Sequence, residues 1–311
     1  MRMLLSILCL LVPAVAAAAP FAYVANEKSG TISVIDTATD EVAATIKAGT
    51  KPRGSAASLD GSRLFVSDQP ASALLVIDTA KREVVATVDL GESPEGVYLS
   101  PDGKWVAVAV ELSNSIAFVD AATLKKEFNV KVAGKNPEHA VFSPDGKRML
   151  VSAEEADQVD IIDVEQRKQV GSVKVGERPR GIAFTPDGAT AYVACEHADK
   201  VYAIDMAKLS VAAVIPAGKK ANGVTMRPDG KKVFVSNGGD ANVMVIDTGS
   251  NKVVGNIPVG QRPWNMAVTP DGKKLYVANG RSGTVSVLDA QAGAPIRDVK
   301  VGEFPWGVVI R

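Results

Sequence analysis

The stretch Ser-Pro-Asp-Gly-Lys occurs at Ser100–Lys104 and again at Ser143–Lys147, and a near copy, Arg-Pro-Asp-Gly-Lys, occupies Arg227–Lys231. Proline restricts φ, aspartate hydrogen-bonds back to the backbone and glycine accepts positive φ, so the stretch predicts a tight turn between two strands. The aspartate of this turn recurs at intervals of 42 or 43 residues, at Asp60, Asp102, Asp145, Asp187, Asp229 and Asp271. The turn is therefore one part of a longer repeated unit.

Two further positions repeat in register with this turn. An aspartate closes a Val-Ile-Asp-like run at Asp36, Asp78, Asp120, Asp163, Asp205, Asp247 and Asp289. A glycine recurs at Gly49, Gly91, Gly134, Gly176, Gly218, Gly260 and Gly302. Seven copies with a period near 42 residues are typical of propeller blades or solenoid repeats.

A single repeat, Arg180–Gly218, contains four short runs rich in Val, Ile, Ala and aromatic residues: GIAFT, AYVAC, KVYAID and VAAVIPAG. Each run has strand length and is bounded by turn residues, and the repeat shows no long helical period. Four strands per repeat in seven repeats predict an all-β fold, a seven-bladed β-propeller of four-stranded antiparallel blades. The aspartates of the turns then belong to the scaffold.

The two ends of the repeat array predict how the ring closes. Ala22–Asn26 reads AYVAN, a second-strand motif, whereas Trp306–Arg311 reads WGVVIR, a first-strand motif. We therefore expect the C-terminal strand to pair with the three N-terminal strands and complete one mixed blade. This pairing would close the ring without a disulfide bond.

Residues 1–19 have the layout of a secretory signal peptide, with Arg2, an apolar run over Leu4–Val15 and small residues over Ala16–Ala19. A membrane anchor is the alternative, but the apolar run is short for a bilayer. We expect cleavage near Ala18 or Ala19 and a periplasmic location. The propeller then occupies residues 20–311, which contain no second apolar run of membrane length.

The overall charge argues against one class of partner. Lys plus Arg and Asp plus Glu each number 35, so the formal net charge is zero. Proteins that bind nucleic acids usually carry a basic surface, and this balance therefore argues against a nucleic-acid role.

The repeats resemble a known family. YVAN at Tyr23 and Tyr276, followed by SGTISVID or SGTVSVLD, is similar to the YVTN-repeat β-propellers. The seven-repeat form most resembles periplasmic propellers associated with PQQ-dependent alcohol catabolism. That resemblance implies an accessory protein that binds a small molecule or a periplasmic protein, such as a dehydrogenase, a cytochrome c or a transporter component.

Functional residues are expected where a repeated position changes from blade to blade. The residue after the loop proline, or its equivalent, should ring one mouth of the central channel. Around the ring it reads Arg53, Glu95, Glu138, Arg180, Asn222, Trp264 and Trp306. The next position is glycine in five repeats but His139 and Asn265 in the other two. An indole pair beside Arg53 would suit an apolar or anionic small molecule or a partner protein, although both indoles could instead plug the channel.

Acidic residues in neighbouring loops make a metal site an alternative. His139, Glu154 and His197 are predicted on the same face and could form a His₂–Glu site. The simpler interpretation is two solvated loop histidines. Haem has less support because the sequence lacks Cys-x-x-Cys-His, although one histidine could be an axial ligand.

Two functions remain open at this stage. The favoured hypothesis is a non-catalytic ligand-binding or protein-interaction module that uses the channel mouth. The alternative is an enzyme, a lactonase-like hydrolase or a metal- or haem-dependent oxidoreductase, with a carboxylate and histidine site there.

Overall fold

Seven sheets of four antiparallel strands form a ring in the computed structural model, which describes residues 20–311. The predicted signal peptide, residues 1–19, lies outside the described residues. Blade 1 contains β1 (Phe21–Asn26), β2 (Thr31–Asp36), β3 (Glu41–Lys47) and β28 (Pro305–Ile310). Blade 2 contains β4 (Pro52–Ala57), β5 (Arg63–Asp68), β6 (Ala73–Asp78) and β7 (Glu83–Asp89). Blade 3 contains β8 (Pro94–Leu99), β9 (Trp105–Val110), β10 (Ser115–Asp120) and β11 (Lys126–Lys131).

The other four blades follow the same plan. Blade 4 contains β12 (Pro137–Phe142), β13 (Arg148–Ala153), β14 (Gln158–Asp163) and β15 (Lys168–Lys174). Blade 5 contains β16 (Pro179–Phe184), β17 (Thr190–Cys195), β18 (Lys200–Asp205) and β19 (Ser210–Pro216). Blade 6 contains β20 (Ala221–Met226), β21 (Lys232–Asn237), β22 (Asn242–Asp247) and β23 (Lys252–Pro258). Blade 7 contains β24 (Pro263–Val268), β25 (Lys274–Asn279), β26 (Thr284–Asp289) and β27 (Ala294–Lys300).

The ring closes as the sequence predicts. Strand β28 pairs with β1 in the order β28-β1-β2-β3, with Ala22 opposite Ile310 and Val24 opposite Val308. At the end of this ladder, Phe21 N–H donates to the carbonyl of Arg311, the residue after β28, at 2.8 Å. Blade 1 is therefore assembled from both ends of the repeat array.

The repeated aspartates stabilise turns, as expected. Asp102 Oδ1 accepts hydrogen bonds from Ser100 Oγ at 2.5 Å and from Lys104 N–H at 3.0 Å. These bonds lower the pKa of Asp102, with the Ser100 hydroxyl contributing most. In the second repeated turn, Asp78 Oδ1 accepts from the N–H groups of Ala80 and Lys81. Both turns lie at the ends of the blades opposite the loops that begin the inner strands.

The core lies between adjacent blades, where the faces of neighbouring sheets pack together. Between blades 2 and 3, for example, Phe65 and Leu74 contact a layer that includes Val106 and Val108. Cys195 is also buried, and burial raises the pKa of its thiol to about 12. Among residues 20–311, no helix is long and apolar enough to cross a membrane.

Each inner strand has a local irregularity that brings neighbouring strands close together at the channel. In β12 the register shifts between Pro137 and Ala140, so Glu138 and His139 do not alternate as in a regular ladder. The position held by His139 is glycine in most blades because the next strand approaches closely. A Cβ on Gly54 would lie 2.3 Å from the Glu95 carbonyl oxygen. A side chain at this position therefore fits only where the neighbouring inner strand leaves room, as it does at His139 and Asn265.

Candidate functional site

The residues predicted to ring the channel mouth do so. They line one cavity of about 360 Å³, together with residues from the loops after the second strands. The lining consists of Glu27, Arg53, Gln69, Glu95, Glu111, Glu138, Glu154, Arg178, Arg180, Asn222, Trp264, Asn265, Phe304 and Trp306. One wall of the cavity is charged and the other is aromatic.

On the charged wall, Arg53 is held by carboxylates on both sides. Its Nη1 lies 2.5 Å from Glu95 Oε1, and its Nε lies 3.3 Å from Glu27 Oε2. Gln69 Nε2 also donates to Glu95 Oε1 at 2.6 Å. Glu95 is 2% exposed, and burial raises its pKa although Arg53 opposes this effect. Arg53, the cation expected beside Trp264 and Trp306, is therefore already neutralised by glutamates.

Arg180 is the centre of a second, larger network. Its Nη1 contacts carboxylate oxygens of both Glu138 and Glu154. Its Nε lies 3.2 Å from Glu196 Oε2, and Arg262 Nη2 donates to Glu196 Oε1 at 2.6 Å. Burial lowers the pKa of Arg180 to about 10, which leaves it protonated at neutral pH.

Arg178 joins the same network from the outer side. Its Nη2 lies 3.3 Å from Glu154 Oε2, and its Nε lies 3.3 Å from Glu196 Oε2. Burial raises the pKa of Glu196, but Arg180, Arg262 and Arg178 together outweigh this effect and lower it. The Glu196 carboxylate is therefore held as an anion and is a poor proton acceptor.

The aromatic wall is formed by Trp264, Phe304 and Trp306. The ring centroids of Trp264 and Phe304 are 6.3 Å apart. The Trp264 ring lies against Gly280, where a Cβ would come within 2.5 Å of two ring carbons. Trp264 is half-buried and borders the open cavity, whereas Trp306 is 8% exposed. The two indoles thus differ in exposure: Trp264 is the more accessible surface, and Trp306 is almost buried where it borders the same cavity.

His139, in β12 of blade 4, lies beneath Trp306, in β28 of blade 1. The ring centroids are 5.8 Å apart and the rings are inclined by 26°. Tyr98 Oη lies 2.5 Å from Nδ1 of His139. Burial lowers the pKa of His139 to about 4, so the ring is neutral at pH 7. The prediction of a solvated loop histidine is wrong for His139, because the irregularity in β12 turns its side chain inward.

This neutral histidine predicts a stability change with pH. The unfolded chain takes up a proton below about pH 6.5, whereas the folded protein does so only near pH 4. The free energy of unfolding should therefore fall as pH falls, by about 2 kcal/mol from this residue between pH 7 and pH 5. Urea unfolding of the native protein and of His139→Phe at both pH values measures this term. Equal pH dependence in the two proteins would contradict it.

The three metal candidates are not brought together. His139 is below the channel mouth, while His197 is exposed in the loop after β17. His197 and Glu154 border a neighbouring acidic cavity of about 450 Å³, which shares Glu111, Glu154 and Arg178 with the mouth cavity. Among residues 20–311, no group of three or more His, Cys, Asp or Glu side chains is placed to hold a metal ion. His139 faces a chamber of about 130 Å³, far smaller than a porphyrin, so haem does not fit beside it.

Sequence reasoning missed three contributors: Tyr98, Gln69 and Phe304. Tyr98 could have been found, because other first strands have a small or aliphatic residue, such as Ala56 or Val141, at the equivalent position. Phe304 stands immediately before the loop proline, where other repeats have Lys51 or Arg178. Comparison of equivalent repeat positions therefore identifies most of the site.

Solved structures share the fold of this chain at low sequence identity. A chain of Kuenenia stuttgartiensis hydrazine synthase is 23% identical, with a TM-score of 0.80 over 86% of this chain and 91% of that chain. A functionally unknown protein from Desulfotomaculum acetoxidans is 20% identical, with a TM-score of 0.81 over 93% of this chain and 98% of its own. Dihydro-heme d1 dehydrogenase NirN, in complex with DHE, is 15% identical, with a TM-score of 0.71 over 94% of this chain and 75% of its own. At these identities the likeness shows the fold alone.

The family comparison extends over most of the chain. No curated protein matches the sequence significantly. A family model described as lactonase, 7-bladed beta-propeller, matches residues 14–170 and 163–295. These segments contain the strands of blades 2 to 6 and residues that line the mouth cavity. The chain therefore belongs to the seven-bladed β-propeller lactonase family.

Proposed function

We propose that the channel mouth binds a small ring compound with polar substituents and that the protein acts as a binding module. The observation that carries this proposal is the pairing of two unlike walls across one cavity of about 360 Å³. A ring can stack on Trp264 while its edge reaches the ion-paired wall of Arg53, Arg180 and their glutamates. The cavity volume lies within the range of small-molecule sites.

The charges of the lining narrow the class of ligand. Five glutamates and three arginines border the cavity, and the arginines already contact carboxylates. An anionic ligand would have to compete with Glu95, Glu138 and Glu154 for these guanidinium groups. The excess of carboxylates favours a neutral or cationic ring whose hydroxyl or amino groups hydrogen-bond to the glutamates.

The same contacts favour binding over catalysis. A general base must hold a free lone pair within reach of the substrate. Glu138, Glu154 and Glu196 are paired with arginines, and burial lowers the pKa of His139 to about 4, which makes it a weak base. These groups are placed to present a fixed pattern of donors and acceptors.

Replacement of Trp264 by Ala should weaken ligand binding about tenfold or more, because it removes the stacking surface. The test uses Trp fluorescence and thermal shift with hexoses, cyclitols, cyclohexanol and amino sugars, and with sugar acids as an anionic comparison. Trp105→Phe is the matched control, since Trp105 borders a cavity among the Pro-Asp-Gly turns. Compounds that bind equally well to the Trp264→Ala protein would contradict the proposed site.

Family membership favours a second candidate, an enzyme that acts on lactones. Arg180 borders the mouth cavity and Arg262 shares the Glu196 carboxylate with it, so a substrate carbonyl that displaces Glu138 or Glu154 from Arg180 would meet a cation that stabilises its developing negative charge. The test is hydrolysis of five- and six-membered lactones by the native protein and by Arg262→Ala. Turnover by the native protein that falls at least a hundredfold in the variant would establish this candidate instead.

We further propose that the protein works in the periplasm, as an accessory to PQQ-dependent alcohol oxidation or its transport system. The support is the leader-like composition of residues 1–19 and the resemblance of the repeats to that group of propellers. Mass spectrometry of protein from a periplasmic fraction tests the location. Co-purification with a dehydrogenase, a cytochrome c or a transporter component tests the partner.

A further inference from the structure

A chamber of about 130 Å³ adjoins the mouth cavity and shares Asn265 and Trp306 with it. His139 lines this chamber and is 1% exposed. Its Nε2 is buried and has no hydrogen-bond partner among residues 20–311. Most buried polar atoms in proteins are hydrogen-bonded, so this ring nitrogen is a candidate partner for a ligand atom or a water molecule.

The contact with Tyr98 determines which ring nitrogen carries the hydrogen. Burial raises the pKa of Tyr98, so its hydroxyl keeps its proton. If this hydroxyl donates to Nδ1, one hydrogen bond is made and only the Nε2 hydrogen lacks a partner. If Nδ1 donates instead, both the phenolic hydrogen and the Nε2 lone pair lack partners. The first arrangement is favoured, and Nε2–H is then a donor.

The acceptor that faces this donor is too distant for a direct hydrogen bond. Glu138 Oε1 lies 3.9 Å from Nε2 of His139, while the other oxygen of Glu138 contacts Arg180. An oxygen atom that bonds to both would have to enter beside the Trp306 ring that covers the imidazole, because Nε2 itself is buried. It would have to accept from Nε2–H and donate to the carboxylate at the same time.

We propose that Glu138 and His139 together recognise a hydroxyl group of the ligand. A hydroxyl accepts and donates through one atom, whereas a carbonyl or ether oxygen only accepts and an ammonium group only donates. The pair would therefore select alcohols among ring compounds that stack on Trp264. This inference rests on the proposed binding function and assigns its ligand class.

The test uses cyclohexanol, cyclohexanone and cyclohexylamine as matched probes. The chain has only two histidines, so ¹⁵N-histidine labelling gives two imidazole signals and His197→Gln assigns them. We expect Nε2–H of His139 to be protonated in the free protein and its ¹⁵N and ¹H shifts to move with cyclohexanol only. We also expect cyclohexanol to bind about tenfold or more tightly than the other two, measured by Trp fluorescence.

The variant His139→Phe keeps a ring beneath Trp306 but removes the donor. In this protein cyclohexanol should lose its advantage while the fluorescence response to ring compounds persists. Equal binding of all three probes to the native protein, or a proton on Nδ1 rather than Nε2, would overturn the inference while the binding function stands. An absence of any fluorescence response would overturn the binding function itself. If His139→Phe does not fold, the shifts of the native ring still decide the question.

Discussion

Deletion of Pro305–Arg311 should abolish cooperative folding. The deletion removes β28, so β1 loses its ladder partner and the core of blade 1 loses Val308 and Ile310. It also removes Trp306, which covers His139. The expected loss exceeds the 5–15 kcal/mol that typically stabilises a domain. Far-UV circular dichroism during urea unfolding measures it, and a cooperative transition near that of the full chain would contradict it.

A circular permutant provides the matched control for this deletion. Phe21 and Arg311 exchange hydrogen bonds of 2.8 and 3.0 Å, so a short Gly-Ser linker can join Arg311 to Pro20. New ends placed between blades 1 and 2 would make each blade from consecutive strands. This permutant should fold cooperatively, which would show that the deletion acts through the missing strand and not through altered chain ends.

Replacement of Arg180 by Ala should destabilise the protein by about 3–5 kcal/mol. Arg180 contacts Glu138, Glu154 and Glu196, and its removal leaves buried carboxylates without their central cation. Urea unfolding at pH 7 measures the change. Arg281→Ala is the matched control, since Arg281 is exposed.

A compensating set distinguishes the charge effect from lost packing. Arg180→Met combined with Glu138→Gln and Glu154→Gln removes two of the buried charges together with the cation. We expect this set to recover at least half of the lost stability. A loss below 1 kcal/mol in Arg180→Ala would show that the glutamates find other partners and that the network is not centred on Arg180.

The blade count, the four strands of each blade and the closure were predictable because they depend on local signals repeated in register. A turn such as Ser100–Lys104 specifies its own geometry through proline, aspartate and glycine. Because the same turn recurs every 42 or 43 residues, the structure inferred for one repeat applies to every blade. The ring of mouth residues followed for the same reason, since Arg53 and Trp264 occupy equivalent positions in different repeats.

The pairing within the site was not predictable, because long side chains cross between blades. Arg262, at the start of blade 7, donates to Glu196, which follows β17 of blade 5. The register of the repeats does not show how far a side chain extends towards another blade. The burial of His139 was missed for a different reason. Its loop-like sequence context conceals the irregularity of β12, which directs the side chain inward beneath Trp306.

The mixed composition of blade 1 also sets an order of events in folding. Strands β1–β3 are synthesised first, but their inner partner β28 is synthesised after every other strand. Contacts between residues so distant in sequence form slowly. Until they form, β1 presents an open edge that can pair with β28 of another copy. Refolding at high protein concentration should therefore trap strand-exchanged dimers, whereas the intramolecular closure prevails in dilute solution.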